Sequence, residues 1–544
     1  MKSILIFFFV SIILLCQTPN TFAMSVQDPT FVVEEYITGL SIPTSISFLG
    51  SDILVLQKND GQVRLIRDDI LQNNAVLDVH VSNNSERGLL GIESVGSDVY
   101  LFFTESLIDG GSPLGNRIYK YSWNGINLIN PVLIKDLPAT PGPNHNGGVL
   151  AKNFDGDIFA IIGDLNRNGV LQNFPSGDPD DTSVILPVDP NGSIVAMGIR
   201  NSFGLTFDPS NGNMWDTENG PSSFDEINLI SPNFNSGWEL IMGPATQEQI
   251  DSLPGFENFV YSDPEFSWEQ PVAPTSILFT GSESFASYSN SVFVGDCNNG
   301  NIYNFTLNQS RDSFVFTDPD LSDSVLNIGD ESGEIEFGSG FGCITDIEMG
   351  PDGFVYVVSI IGTIYRIMPA DSCIVPNNGD MVMTSSCTLY ANFVAPGSIF
   401  VQNNSVLTIP SSVTIEIDFV QSNLTVESGS GVLIKSGGTI KSNLLADSDN
   451  DGVPNVSDNC SLISNLNQND LDSDGIGDAC DSETSIISNT TLVTDTSLAG
   501  DLIVESGFNL TINPGVTLDV DFVNQKILIK LGGGILIKSG GTIT

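Results

Sequence analysis

A chain of 544 residues with 66 acidic against 18 basic side chains carries a formal net charge of −48, and so negative a surface repels nucleic acid and anionic membranes while favouring divalent cations. Nucleic acid is excluded as a partner. The 53 glycines, 28 prolines and many short Val, Ile, Leu, Thr and Phe runs broken by Asn-Gly and Asp-Gly predict an all-β protein of more than one domain.

Residues 1–23, MKSILIFFFVSIILLCQTPNTFA, have the pattern of a secretory signal: Lys2, an apolar core from Ile4 to Leu15 and a small-residue exit near Ala23. Export to a secreted or cell-surface, extracellular location is expected. No later run approaches roughly 18 uninterrupted apolar residues, so no membrane span is expected in the remainder. From Phe31 to Met368, pieces such as DILVLQKNDGQVRLI, GDIFAIIGD and DGFVYVVSIIGTIYRI join two apolar runs across a Gly-containing turn, the local pattern of a hairpin. So many hairpins with so little amphipathic helix pattern suit a β-propeller over residues 31–368 better than a two-sheet sandwich. Periodicity alone leaves the number of blades open.

After Ala370 an internal duplication begins. LTIPSSVTIEIDFV at Leu407 recurs as LTINPGVTLDVDFV at Leu510, and GVLIKSGGTI at Gly431 as GILIKSGGTI at Gly534, all with one shared offset. Two copies of a module are expected, at 371–445 and 483–544, each a small β-solenoid or β-sandwich serving as a stalk or assembly module. Residues 446–482 lie between them. Here Asp447, Asp449, Asp451 and Asp458 form one set of hard oxygen ligands and Asp470, Asp472, Asp474 and Asp478 a second, each with a Gly that permits a sharp turn, which is Ca²⁺ chemistry. Bracketed by Cys460 and Cys480, this segment resembles a thrombospondin type 3 repeat. Without calcium its like charges should repel and unfold it. Six cysteines follow the signal, Cys297, Cys343, Cys373, Cys387, Cys460 and Cys480, enough for three disulfides in an exported chain. The sequons at Asn304, Asn423 and Asn509 are candidate glycan acceptors.

One of only two histidines, His145, stands in GPNHNGGVL between a Gly-Pro turn and a Gly-Gly pair. Around it, in chain order, run GLSIPTSISF, SERGLLGIE, HNGG, IIGDLNRNG, GIRNSFGLTFDP, DTENGPSSFDEINLI, NSGWE, VAPTS and GPDGFVYVV. This series resembles the soluble glucose/sorbosone dehydrogenase family, six-bladed propellers in which pyrroloquinoline quinone (PQQ) oxidises aldose sugars. The resemblance implies that His145 is the general base, a role suited to imidazole because its pKa lies near working pH. It implies that Glu86, Asn144, Arg200, Asn201, Asn219, Asp225 and Trp268 line the cofactor pocket, Trp268 one residue off its expected place. Gly220 and Pro221 match two backbone carbonyls that hold a cofactor-bridging Ca²⁺, an electrophile for the quinone.

The match departs from the family where the cofactor's carboxylates are compensated. Asn298 stands at a lysine position, Cys343 and Thr345 replace a pair of arginines, Gly169 replaces a glutamine, and Glu86 occupies a usual glutamine position. Each lost charge-assisted hydrogen bond is worth roughly 1.5–3 kcal/mol. Because Cys297 and Cys343 flank two vacated positions, a disulfide between them across adjacent blades is expected, although strand alternation would point Cys297 to the other face. Two functions follow as expectations. The first is an exported quinone-dependent aldose dehydrogenase. The second is a non-catalytic extracellular propeller that binds carbohydrate, mounted on a calcium-stiffened β-stalk that joins cell-surface or matrix proteins in adhesion or assembly.

Overall fold

The structure, a computed structural model, describes residues 24–168, 181–256, 258–443, 447–521, 524–539 and 541–544. The expected signal segment and Gly169 lie outside the described residues. Contacts divide the chain after Ser372 into two compact units.

The hairpin read from DILVLQKNDGQVRLI forms as expected: Asp52–Gln57 pairs antiparallel with Gln62–Arg67, Ile53 opposite Ile66 and Leu56 opposite Val63. Gly61 permits its turn, with φ of +66° and a Cβ that would fall 1.8 Å from Val79 O. Repetition of this unit builds six sheets in the first unit. Their inner strands are β1 (Pro43–Leu49), β2 (Leu89–Val95), β3 (Leu150–Lys152), β4 (Ser202–Phe207), β5 (Pro274–Thr280) and β6 (Ile344–Met349). Each packs on the next, and β6 packs on β1, so the strands close a ring around a central channel.

The expected six-bladed propeller is corrected by the strand order to five blades and a composite closing sheet. Five sheets take their four inner strands from single stretches of chain, whereas the closing sheet is a composite. It joins β6, Val355–Ser359 and Thr363–Pro369 to Phe31–Ile37 from the other end of the unit, with Phe31 opposite Pro369. Pairing the first long strand with the last hydrogen-bonds the ring shut. The all-β reading stands.

Between sheets the outward strands meet in apolar layers. One holds Trp215, Phe266, Trp268 and Phe305, all fully buried, and another Phe285, Phe293, Phe341 and Val357. Each such side chain contributes roughly 1.5–3 kcal/mol by leaving water. Asn304 belongs to this framework: it lies half-buried mid-strand in Ile302–Thr306 with its Oδ1 buried.

The second unit is parallel throughout its sheets. Ile399 pairs with Leu424, Leu407 with Val432 and Ile415 with Ile440, and in the second copy Leu502 pairs with Ile527, Leu510 with Ile535 and Leu518 with Ile543. Each strand therefore pairs with its successor one turn later, as in a coil of three-sided turns; an antiparallel sandwich does not fit these pairings. Leu407, Ile409, Ile415 and Ile417, like Leu502, Leu510, Ile512 and Leu518, are fully buried inside the coils. Lysines on the last turn reach acids 25 residues earlier, Lys526 to Asp501 and Lys530 to Glu505.

Candidate active site and calcium segment

At one end of the channel lies a cavity of about 310 Å³, within the size range of small-ligand sites. Inner-strand starts supply Ser45, Leu90, Phe203, Thr275, Thr345 and Asp346, and the loops above them supply Lys58, Glu86, Asn219, Cys297 and Cys343. The ring thus converges loops distant in sequence onto one mouth.

His145 is buried beside this cavity with φ of +60°, a conformation that costs a non-glycine residue about 1–3 kcal/mol unless its surroundings over-determine it. They do. Its N–H donates to Glu86 Oε2 at 2.6 Å, its ring Nδ1 meets Asp164 Oδ1 at 2.5 Å, and its carbonyl accepts from Leu165 N. Asp164 also accepts from Trp238 Nε1 at 2.8 Å and from Asn166 N at 2.9 Å. Burial works against the Asp164 charge, but the hydrogen bonds from His145, Trp238 and Asn166 outweigh it and hold the carboxyl below its usual pKa. A carboxylate at Nδ1 assigns the ring proton to that nitrogen and leaves Nε2 as the acceptor.

Arg200 extends the network. Its guanidinium lies 5.2 Å over the Trp238 ring and donates to Asn219 O at 2.7 Å, while its own N–H donates to Glu218 Oε1 at 2.6 Å. Burial lowers its pKa, opposed by Asp164, Glu218, Glu86 and Asp225. Asn201 donates to Glu86 Oε2 at 3.0 Å, and Asn144 N donates to Asn166 Oδ1 at 2.8 Å. Asp225 accepts from Gly220 N at 2.8 Å, Val272 N at 2.7 Å and Ala273 N at 2.6 Å. It clamps two loop backbones, and burial pushes its carboxyl up in pKa.

Of the expected pocket residues, Glu86 and Asn219 line the cavity, and His145, Asn144, Arg200, Asn201 and Asp225 join them in one hydrogen-bonded network. Gly220 and Pro221 lie on the turn after Asn219, outside the cavity lining, Pro221 exposed. A Cβ at Gly220 would stand 2.2 Å from Phe224 O and 2.3 Å from Ser223 O, so only glycine permits this gathering of carbonyls.

Trp268 requires correction. It is fully buried among Phe266, Tyr303 and Phe305, with its ring 5.3 Å from Tyr303, because its short strand turns it into the layer between sheets. The tryptophan of the site is Trp238, from NSGWE. Asp164 and Lys58 also escaped sequence reasoning. Asp164 opens GDLNRNG, where its role was legible only as part of a motif, and Lys58 had no motif at all.

The vacated cationic positions hold what the sequence predicts. Thr345 Oγ1 donates to Pro43 O at 3.0 Å and exposed Asn298 donates to Pro271 O at 3.1 Å. Cys297 and Cys343 are disulfide-bonded, with Cα atoms 3.7 Å apart. Strand alternation does not forbid the bond because Ser291–Asp296 ends one residue before Cys297.

In the second unit, ligand oxygens of Asp447, Asp449 and Asp451 lie within 4.8 Å of one another, as do those of Asp470, Asp472 and Asp474. Gly452 N donates to Asp447 at 2.9 Å and Gly475 N to Asp470 at 3.0 Å, both glycines having positive φ. The two loops therefore share one turn. Asp458 and Asp478 stand beside these triplets rather than in them: Asp458 Oδ1 accepts from Gln468 Nε2 at 2.7 Å and Asp478 Oδ1 from Leu471 N at 2.8 Å. Asp449 Oδ2 and Asp458 Oδ2 are buried without a hydrogen-bond partner among the described residues. Cys460–Cys480 ties the segment, and Cys373–Cys387 the start of the unit.

The family described as Glucose / Sorbosone dehydrogenase matches residues 40–366, and the Thrombospondin type 3 repeat matches 446–468. Aldose sugar dehydrogenase YliI of Escherichia coli is 25% identical over 244 residues, covering 42% of this chain and 60% of that one. Quinoprotein glucose dehydrogenase B of Acinetobacter calcoaceticus is 31% identical over 157 residues, 23% of this chain and 32% of that one. A solved glucose dehydrogenase superposes with a TM-score of 0.50 at 21% identity, covering 62% of this chain and 98% of that one, a likeness of fold alone. No helix among the described residues is long and apolar enough to cross a membrane.

Proposed function

The chain belongs to the glucose/sorbosone dehydrogenase family, and from that premise we propose that its first unit oxidises aldose sugars with a quinone cofactor and Ca²⁺. The observation that carries this reading is the His145–Asp164 pair, set beside a ligand-sized cavity and braced by Trp238 and Glu86. Asp164 holds the Nδ1 proton, so His145 Nε2 takes the proton of the sugar hydroxyl as the neighbouring C–H bond gives up hydride. Asp164 then stabilises the imidazolium that forms. Arg200, half-buried and ringed by carboxylates, keeps the surrounding negative charge in check.

The residues present fit a quinone with acidic substituents. Lys58 brings positive charge to the cavity, and Asn219 Oδ1 and Arg200 Nε are buried beside it without partners. Bound there, a quinone supplies the hydride acceptor. The turn at Gly220 and Pro221, crowded with carbonyls and fixed by Asp225, suits a hard cation. We place the protein outside the cell, its second unit stiffened by Ca²⁺ on the two aspartate loops and serving as a spacer or attachment module.

One observation favours a second reading, a non-catalytic propeller that binds carbohydrate: a disulfide and Thr345 stand where arginines are expected. Purified protein reconstituted with PQQ and Ca²⁺ and tested for dye reduction on a panel of aldoses separates the two. Turnover lost in His145→Gln supports the dehydrogenase. Sugar binding without turnover or cofactor uptake in the wild type selects the second reading.

A further inference from the structure

Lys58 follows the strand Asp52–Gln57 and is the only lysine or arginine among the described residues that line the cavity. Its Nζ donates to Ser85 O at 2.6 Å and to Asn59 Oδ1 at 3.3 Å, both neutral acceptors. Two of its three protons are thereby used, and no carboxylate of a described residue pairs with it. Each acid in the lining has one oxygen engaged elsewhere. Glu86 Oε2 accepts from His145 N and Asn201 Nδ2, and Asp346 Oδ2 accepts from Ser45 Oγ and Ile46 N. Burial lowers the pKa of Lys58, with the Glu86 charge opposing that effect. This is a half-buried ammonium that feels the Glu86 charge but makes no direct hydrogen bond to a carboxylate of a described residue.

The chain is also shaped around it. A Cβ at Gly88 would fall 2.4 Å from Lys58 O and 2.6 Å from Lys58 Cγ, so glycine there lets the lysine stem lie against the segment that carries Glu86. The cavity walls at Cys343, Thr345 and Cys297 present a disulfide and a hydroxyl and no cation.

We propose that Lys58 is the carboxylate anchor of the cavity: it pairs with an acidic substituent of the bound quinone and supplies from the first sheet the charge that the closing sheets lack. The inference rests on reading the cavity as a quinone site and names the group that selects a carboxylate-bearing ligand there. Its role is positioning and selection, and the proton transfer remains with His145.

The test is equilibrium binding of PQQ to the full chain with Ca²⁺, followed by cofactor absorbance, beside the PQQ trimethyl ester, which lacks the carboxylates. Lys58→Gln should weaken PQQ binding by about 10- to 100-fold, the worth of one charge-assisted hydrogen bond. Lys58→Arg should restore most of it, and added salt should narrow the gap between wild type and Lys58→Gln. The ester should bind wild type and Lys58→Gln alike. Thermal unfolding of each variant checks that the fold is retained. If the wild type binds PQQ and folded Lys58→Gln binds it within about two-fold, or loses acid and ester equally, Lys58 is not the anchor. If the wild type takes up no PQQ, the quinone reading itself fails, and that result is seen before any variant is made.

Discussion

His145 is held by two constraints that act on different parts of it: Glu86 on its backbone N–H and Asp164 on its ring. Asp164→Asn keeps the shape and removes the charge, so the Nδ1 proton loses its assigned place. Dye-linked kcat should then fall by about 10²–10⁴-fold, the contribution of a positioned acid–base group. Trp238→Phe, which deletes one hydrogen bond to Asp164 and leaves an aromatic face for Arg200, should cost far less. Equal losses from the two substitutions would show that Asp164 acts only through packing. His145 was legible in the sequence because histidine is so scarce and its glycine neighbours so specific. Asp164, Trp238 and Lys58 were not, because an acid, an indole and a lysine are ordinary until a fold sets them against one imidazole and one cavity.

Strands β6 and β1 meet through Asp346, whose Oδ2 accepts from Ser45 Oγ at 2.8 Å and Ile46 N at 2.9 Å. Burial, reinforced by the Glu93 charge, pushes this carboxyl up to about 6 despite those hydrogen bonds. Between the unfolded value near 3.8 and 6 the folded state therefore holds more protons than the unfolded state. This contribution to stability is present at low pH, falls as pH rises through that window and is constant above it. Asp346→Asn should flatten the slope of unfolding free energy against pH over that range, and an unchanged slope would assign it to other acids. At the same scale, Trp268→Ala opens the layer between sheets and should cost about 3–5 kcal/mol in urea unfolding. Its placement shows where strand patterning fails: a motif aligned to within one residue cannot say which face of a three-residue strand looks outward, and in sheets one residue reverses the face.

Two compact units with separate apolar cores should unfold in two transitions. Removing Ca²⁺ with a chelator should lower the transition of the second unit and leave that of the first near its place, because the aspartate triplets at 447–451 and 470–474 are otherwise uncompensated. Calorimetry with and without chelator, and proteolysis mapped to 447–481, measure this; cleavage rates unaffected by chelation would argue against a metal-held segment. The duplication and the aspartate loops could be read directly from the chain because their chemistry is local: a repeat is a repeat before folding, and alternating aspartates with glycine converge within one turn. The all-β class was legible for the same reason, in hairpins that close over a few residues. Tertiary structure alone decided how the ring shuts, with Phe31–Ile37 paired to Thr363–Pro369, and which loops reach the mouth. These depend on contacts between residues hundreds of positions apart, whose pairing is set by the closure of the whole sheet ring and leaves no mark on the neighbours of either partner.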